Sequence, residues 1–103
     1  MDIKKKLSHA ITTKRPIECL YHGKKRFIEP YHYGNLGGDE QLHCFQYKGD
    51  SDSGGLPQWR NFKLCEMYAI RLLKSRFTVR ASYHPENSHY STIEKSIYND
   101  NFS

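Results

Sequence analysis

Two arginines carry the most suggestive chemistry in this chain. Arg26 stands beside Phe27 and Arg60 two positions before Phe62, each inside a run that reads as a strand. A strand arginine next to an aromatic ring can stack on the ring while its guanidinium fork reaches a phosphate. That pairing suits a single nucleic-acid strand, whose bases need π-faces and whose backbone needs cations. The same two arginines could equally bridge to Glu18 or Glu29 at a sheet rim, because buried arginines seek local acids. The rings are plentiful, with eight Tyr, five Phe and one Trp. Tyr31, Tyr33, Tyr47 and Trp59 could form a stacking platform or ordinary core with phenols at its edge. Phe27, Phe45 and Phe62 read as core.

Other chemistries find less support. The six histidines include no His-x-x-x-His pair, and there is no Cys-x-x-Cys. His43 and Cys44 point to opposite faces of a strand and cannot share one ion. No metal and no cofactor are therefore expected. The cysteines Cys19, Cys44 and Cys65 are odd in number, widely spaced and set among apolar neighbours. They read as buried small hydrophobes without a disulfide framework. The carboxylates Asp39, Glu40, Asp50 and Asp52 lie in loops with no partner pattern. Gly34–Gly38 lacks the Gly-Lys-Ser/Thr ending of a phosphate loop. A pairing of Cys65 with a distant histidine has no supporting motif. No catalytic residues are assigned, and the chain is read as a non-enzyme.

The elements that must position these residues follow from periodicity. Asp2 precedes Ile3, Leu7, Ala10 and Ile11 at helical spacing, which predicts a helix over 2–13 ended by Pro16. Residues 17–22 alternate as a strand, Gly23-Lys24 turns, and Lys25–Pro30 returns as a hairpin. Pro30 has no N–H and is expected to end that ladder. Tyr31–Tyr33 continues as extended chain or an edge, and 34–39 is a turn by composition. Residues 41–47 carry apolar bulk on both faces and read as a central strand. A polar Gly/Ser loop spans 48–57, and a fourth strand covers 58–65. A turn near Glu66-Met67 leads to a fifth strand near Ala69–Leu73. Ser91-x-x-Glu94 has the form of a capping box, so a short helix is expected over 91–98. The last five residues are expected to be disordered.

At 103 residues the chain fits one modest core. The expected organisation is a small barrel with its helix over 1–80 and a polar C-terminal extension over 81–103. Net charge is +5, and its distribution is uneven. Residues 1–26 hold eight Lys/Arg against Asp2 and Glu18, and residues 60–80 hold six against Glu66. Such asymmetry marks a face for polyanions or a solubilising surface. No apolar run is long enough for a membrane span, and no signal-peptide core follows the basic start. The cytoplasm of a bacterium is the expected location.

The segment Ile17–Leu64 resembles the WYL domain, an Sm-like/SH3-like β-barrel of bacterial regulators. The matching pieces are Ile17-Glu18-Cys19-Leu20-Tyr21, Arg26-Phe27-Ile28-Glu29-Pro30, Leu42-His43-Cys44-Phe45-Gln46 and Trp59-Arg60-Asn61-Phe62-Lys63-Leu64. The order and spacing are closest to the short free-standing members. The Trp-Tyr-Leu tripeptide is absent; Leu42-His43-Cys44 stands in that region. The resemblance implies a mainly β (α+β) fold, an SH3/Sm-like barrel of about five strands behind an N-terminal helix. It implies a ligand-sensing module for a nucleotide or single-stranded nucleic acid, regulatory in role. Positions matching that surface are Tyr21, Arg26, His43 and Arg60. In this reading the arginines supply charge, Tyr21 stacking and His43 a hydrogen bond. The alternative is a protein–protein interaction barrel that uses an exposed strand edge or a homodimer contact.

Overall fold

The first element is a helix because three apolar residues share one stripe. In the computed structural model, which describes residues 2–50, 55 and 57–98, α1 runs Ile3–Thr13. The Asp2 side chain accepts a hydrogen bond from the Lys4 N–H and caps its start. Leu7, Ala10 and Ile11 are buried. Lys14, at φ 55°, turns the chain out of the helix and donates its N–H to the last-turn carbonyls of Ala10 and Ile11.

Six strands follow: β1 (Ile17–Tyr21), β2 (Lys24–Leu36), β3 (Asp39–Gly49), β4 (Gln58–Lys63), β5 (Met67–Leu72) and β6 (Thr92–Ser96). A 3-10 turn at Leu64–Glu66 sits between β4 and β5. The β1–β2 hairpin turns at His22 and Gly23, with φ of 54° and 73°, the left-handed pair that a two-residue turn between twisted strands requires. All pairings are antiparallel, in the order β4-β3-β2-β1-β5. The sixth strand joins β2.

The long second strand organises the sheet. Its outer edge pairs first with β1, over Lys24–Ile28, and then with β6, over His32–Asn35. Between the two, the β2–β3 register slips between Pro30 and His32. Pro30 therefore does not end the ladder as expected. It sits at a bulge, where its missing N–H does no harm and the strand can bend. The turn expected over 34–39 shrinks to Gly37-Gly38.

No ladder joins β4 to β5 among the described residues, so the sheet is open. Register shifts in β1–β5, β2–β3 and β2–β6 bend the sheet along its length. One face buries Ile17, Cys19, Ile28, Leu42, Cys44 and Phe62, which join Leu7, Ala10 and Ile11 of α1 in one core. The other face carries Phe45 and Trp59 on β3 and β4, and residues 77–90 pack over it. Both sides of β3 are thus covered, as its two apolar faces predict.

The helix expected over 91–98 is a strand. Its alternating burial over Thr92–Ser96 follows from pairing with β2, a partner about sixty positions away that local capping signals cannot register. Gly34 permits that pairing: a Cβ there would lie 2.0 Å from the Thr92 carbonyl oxygen. Beyond residue 80 the chain also returns Tyr83 and Ile97 to the core. The expectation of a disordered end falls on 99–103, outside the described residues, as do residues 51–54 and 56 of the expected Gly/Ser loop, whose first two residues, Lys48 and Gly49, belong to β3. No helix among the described residues is long and apolar enough to cross a membrane.

Candidate ligand site: a cleft at His43 and Trp59

The second face of the sheet builds a cleft. β3 and β4 place His43 opposite Asn61 and Phe45 opposite Trp59, so His43 and Trp59 are diagonal neighbours on one surface. Their rings stack, 5.0 Å apart and 5° from parallel. His32 of β2 stacks on the far side of His43 at 4.8 Å. The result is a pile of three flat rings across three strands. The segment after residue 80 closes it. Trp59 Nε1 donates to Ser82 Oγ at 3.0 Å, and a 3-10 turn at Pro85–Asn87 forms the opposite wall. A cavity of about 180 Å³ remains, lined by His43, Trp59, Ser82, His84, Asn87 and Ser88.

The polar contacts around the pile are specific. His43 Nδ1 lies 2.9 Å from Asn61 Oδ1, and the Tyr90 hydroxyl donates to the same oxygen at 2.8 Å. His32 Nδ1 lies 2.6 Å from the Tyr83 hydroxyl. Its Nε2 has no hydrogen-bond partner among the described residues, and the Tyr90 ring stands edge-on to the imidazole, 4.5 Å between centroids. Burial, reinforced by the charge His43 would carry, pushes the His32 pKa down to about 3. Burial also lowers that of His43, against the pull of Asn61. Both imidazoles are therefore neutral at pH 7 and act as π-surfaces and hydrogen-bonding groups, not as cations.

An ion pair between buried Glu29 and partly exposed Arg80 fixes the closing segment. Arg80 donates from Nε and Nη2 to the two Glu29 oxygens at 2.8 and 3.0 Å. Its guanidinium also lies 4.0 Å from the Phe45 ring centroid. Tyr31 bridges the pair: its hydroxyl donates to Glu29 and accepts from the Arg80 N–H at 3.0 Å.

The four residues marked from sequence do not meet on one surface. His43 lines the cleft. Tyr21 and Arg26 lie on the other face, where Arg26 is 2% exposed and sits over the Tyr21 and Phe62 rings. Its guanidinium donates to Gln46 Oε1 and to the Tyr21 carbonyl. Tyr21 is itself stacked on Phe62, at 4.1 Å, and its hydroxyl accepts from the Lys63 N–H. Arg60 is half-buried opposite Cys44. The acids expected to hold these arginines take others: Glu18 pairs with Arg71 and Glu29 with Arg80. Of the proposed platform, Trp59 borders the cleft, whereas Tyr31 and Tyr33 are core.

Sequence reading missed Ser82, His84, Asn87 and Ser88. Their stretch showed itself as a turn-rich break around Pro85, and nothing local says which strands it folds over. The cysteines divide differently from expectation. Cys19 and Cys44 are buried, and burial pushes the Cys19 thiol up to about 12. Cys65 is exposed, because the 3-10 turn points it outward between buried Leu64 and Met67. No cluster of three or more His, Cys, Asp or Glu among the described residues is placed to hold a metal ion.

Fold and cleft together define a small antiparallel β module with a helical lead-in and an aromatic pocket on one sheet face. The fold is similar to part of proteasome accessory factor B/C (PafBC) of Arthrobacter aurescens, with a TM-score of 0.64 and 22% identity over 82% of this chain. The chain spans 13% of that protein's length, and the likeness is one of fold. No family model and no curated protein sequence matches the chain.

Proposed function

We propose that this chain is a WYL-like regulatory sensing module that binds a nucleotide or single-stranded nucleic acid, with a base entering the cleft. The observation that carries this reading is the stacked His43–Trp59 pair at the border of a cavity of about 180 Å³. Flat, neutral rings beside serine hydroxyls and an asparagine amide favour a planar heteroaromatic group with hydrogen-bonding edges. The motif order of Ile17–Leu64 supports a barrel of that family, and the likeness in fold to part of PafBC is in keeping with a small β module. His43 keeps its assigned hydrogen bond in this reading. Tyr21, Arg26 and Arg60, on the opposite face, would hold the sheet behind it.

Trp59 is the chain's single tryptophan, so its emission reports on the cleft directly. Titration with nucleoside monophosphates and short oligonucleotides is expected to change that emission saturably. No change at millimolar ligand and low salt would end the reading.

A second reading rests on a separate observation. Leu20 and Tyr68 face each other across β1 and β5 and are 38% and 65% exposed. The outer edge of β5 has no strand partner among the described residues. A protein partner or a second copy could add a strand there. Light scattering of the wild type and of Tyr68→Lys tests it: a dimer lost in the variant supports this reading, and a monomer at all concentrations removes the homodimer form.

A further inference from the structure

A second surface lies at the opposite end of the segment that closes the cleft. Lys14 and Arg15 leave α1 exactly where residues 73–77 come back past it. Leu73 N–H donates to the Pro16 carbonyl and Phe77 N–H to the Lys14 carbonyl, both at 2.8 Å. Arg15 Nε donates to the Leu73 carbonyl at 2.7 Å and brackets the two stretches together. This convergence brings exposed Lys14 beside exposed Lys74 and Arg76.

No acid among the described residues neutralises them. No Asp or Glu occurs in residues 3–17 or 67–85. The acids of adjoining elements are engaged elsewhere: Asp2 caps α1, Glu18 holds Arg71 and Lys25, and Glu66 holds His22. Lys14, Lys74 and Arg76 make no ion pair among the described residues. A cation near a helix C-terminus complements its dipole, which accounts for Lys14 but not for Lys74 or Arg76.

We propose that Lys14, Lys74 and Arg76, bracketed by Arg15, form a phosphate-backbone contact for single-stranded nucleic acid, separate from the base-binding cleft. This rests on the reading of the cleft as a nucleic-acid site. Residues 74–82 connect the two places, running from Lys74 past Phe77 on Tyr31 to Ser82 at the cleft. Eight residues of extended chain reach at most roughly 29 Å, so one strand a few nucleotides long can touch both. An anionic membrane is the poorer fit. Among the described residues the exposed large apolar ones are Leu20, Tyr68 and Tyr98, and none belongs to the stretches that form the patch, which therefore offers nothing to insert into acyl chains.

The test uses the full chain and a triple variant, Lys14→Gln/Lys74→Gln/Arg76→Gln, all at exposed positions, with circular dichroism and melting to verify folding. Anisotropy with a labelled single-stranded 12-mer is read at several salt concentrations. In parallel, Trp59 emission is read with a mononucleotide. The expected result is about tenfold or greater loss of oligonucleotide affinity at low salt. The slope of log K against log salt should fall by about 2, since each single-strand phosphate contact contributes about 0.7. The mononucleotide response should remain. Unchanged oligonucleotide affinity and slope in the variant would overturn the patch, as would a wild type that binds no oligonucleotide at low salt. Patch-dependent binding to phosphatidylserine vesicles without oligonucleotide binding would overturn it in favour of a membrane. The mononucleotide response at Trp59 stands or falls independently and reports on the cleft alone.

Discussion

The His43 ring lies flat against Trp59, 5° from parallel, while Asn61 holds its Nδ1 edge at 2.9 Å. One strand pair thus supplies a stacking surface and the amide that fixes its rotation. Aromatic side chains that stack a nucleic-acid base contribute about 1–3 kcal/mol each. Trp59→Ala is therefore expected to weaken oligonucleotide binding by roughly 5- to 150-fold, measured by anisotropy. Equal affinity in a folded Trp59→Ala protein would move the site elsewhere.

Acid should loosen the fold before carboxylates titrate. His32 is buried, and its folded pKa is depressed to about 3 from the ordinary 6.5. Between those values the unfolded chain binds a proton that the folded chain refuses. Stability contributed by the neutral ring is therefore full above about pH 6.5 and declines as pH falls toward 3, at up to about 1.4 kcal/mol per pH unit. His43, shifted in the same direction, adds to the slope. Urea denaturation at pH 7, 6 and 5 should show a falling midpoint, with a shallower fall in His32→Asn. A midpoint flat from pH 7 to 5 would contradict a buried neutral His32.

The Glu29–Arg80 pair makes a directional prediction. Glu29 is 6% exposed and depends on Arg80 for a bidentate contact. Arg80→Ala strands that carboxylate and is expected to cost about 1–3 kcal/mol in urea denaturation, discounted because Arg80 is partly exposed. Arg80→Ala/Glu29→Gln should recover part of the loss. A double variant no better than the single would show that stacking of Arg80 on Phe45, not the charge, holds the segment.

Gly34 is predicted to be intolerant. A Cβ there meets the Thr92 carbonyl oxygen at 2.0 Å and the Ile93 Cα at 2.8 Å, both backbone atoms that cannot swing away. Gly34→Ala should push β6 off β2, costing about 1–3 kcal/mol. Limited proteolysis should then cut first near residues 88–96. A wild-type digestion pattern would mean that β6 docks by other contacts.

Local signals carried the first two thirds of the chain well. The stripe of Leu7, Ala10 and Ile11, the hairpin around Gly23, whose turn falls at His22-Gly23 rather than at the expected Gly23-Lys24, and the alternation of Trp59–Lys63 depend on neighbours within a few positions. Features set by distant partners were not legible. Ser91-x-x-Glu94 resembles a helix start because capping is local, whereas β6 exists through Gly34. Arg26 looks like a surface cation until the hairpin register sets it opposite Cys19, inside the sheet. Of the cleft, only His43 and Trp59 stood out beforehand. The serines and asparagine of its far wall carry no periodicity and gain meaning only from where Tyr83 anchors.

That wall has a consequence for when the protein becomes competent. Four of the six cleft residues come from positions 82–88, and the stretch is fastened by Tyr83 on His32 and by β6 on β2. These contacts span about fifty to sixty positions and close large loops, so they form late. During synthesis the strands through β5 can assemble while the cleft still lacks its far side. Only when β6 has cleared the ribosome can the pocket exist, so the cleft takes shape after the sheet through β5 has formed.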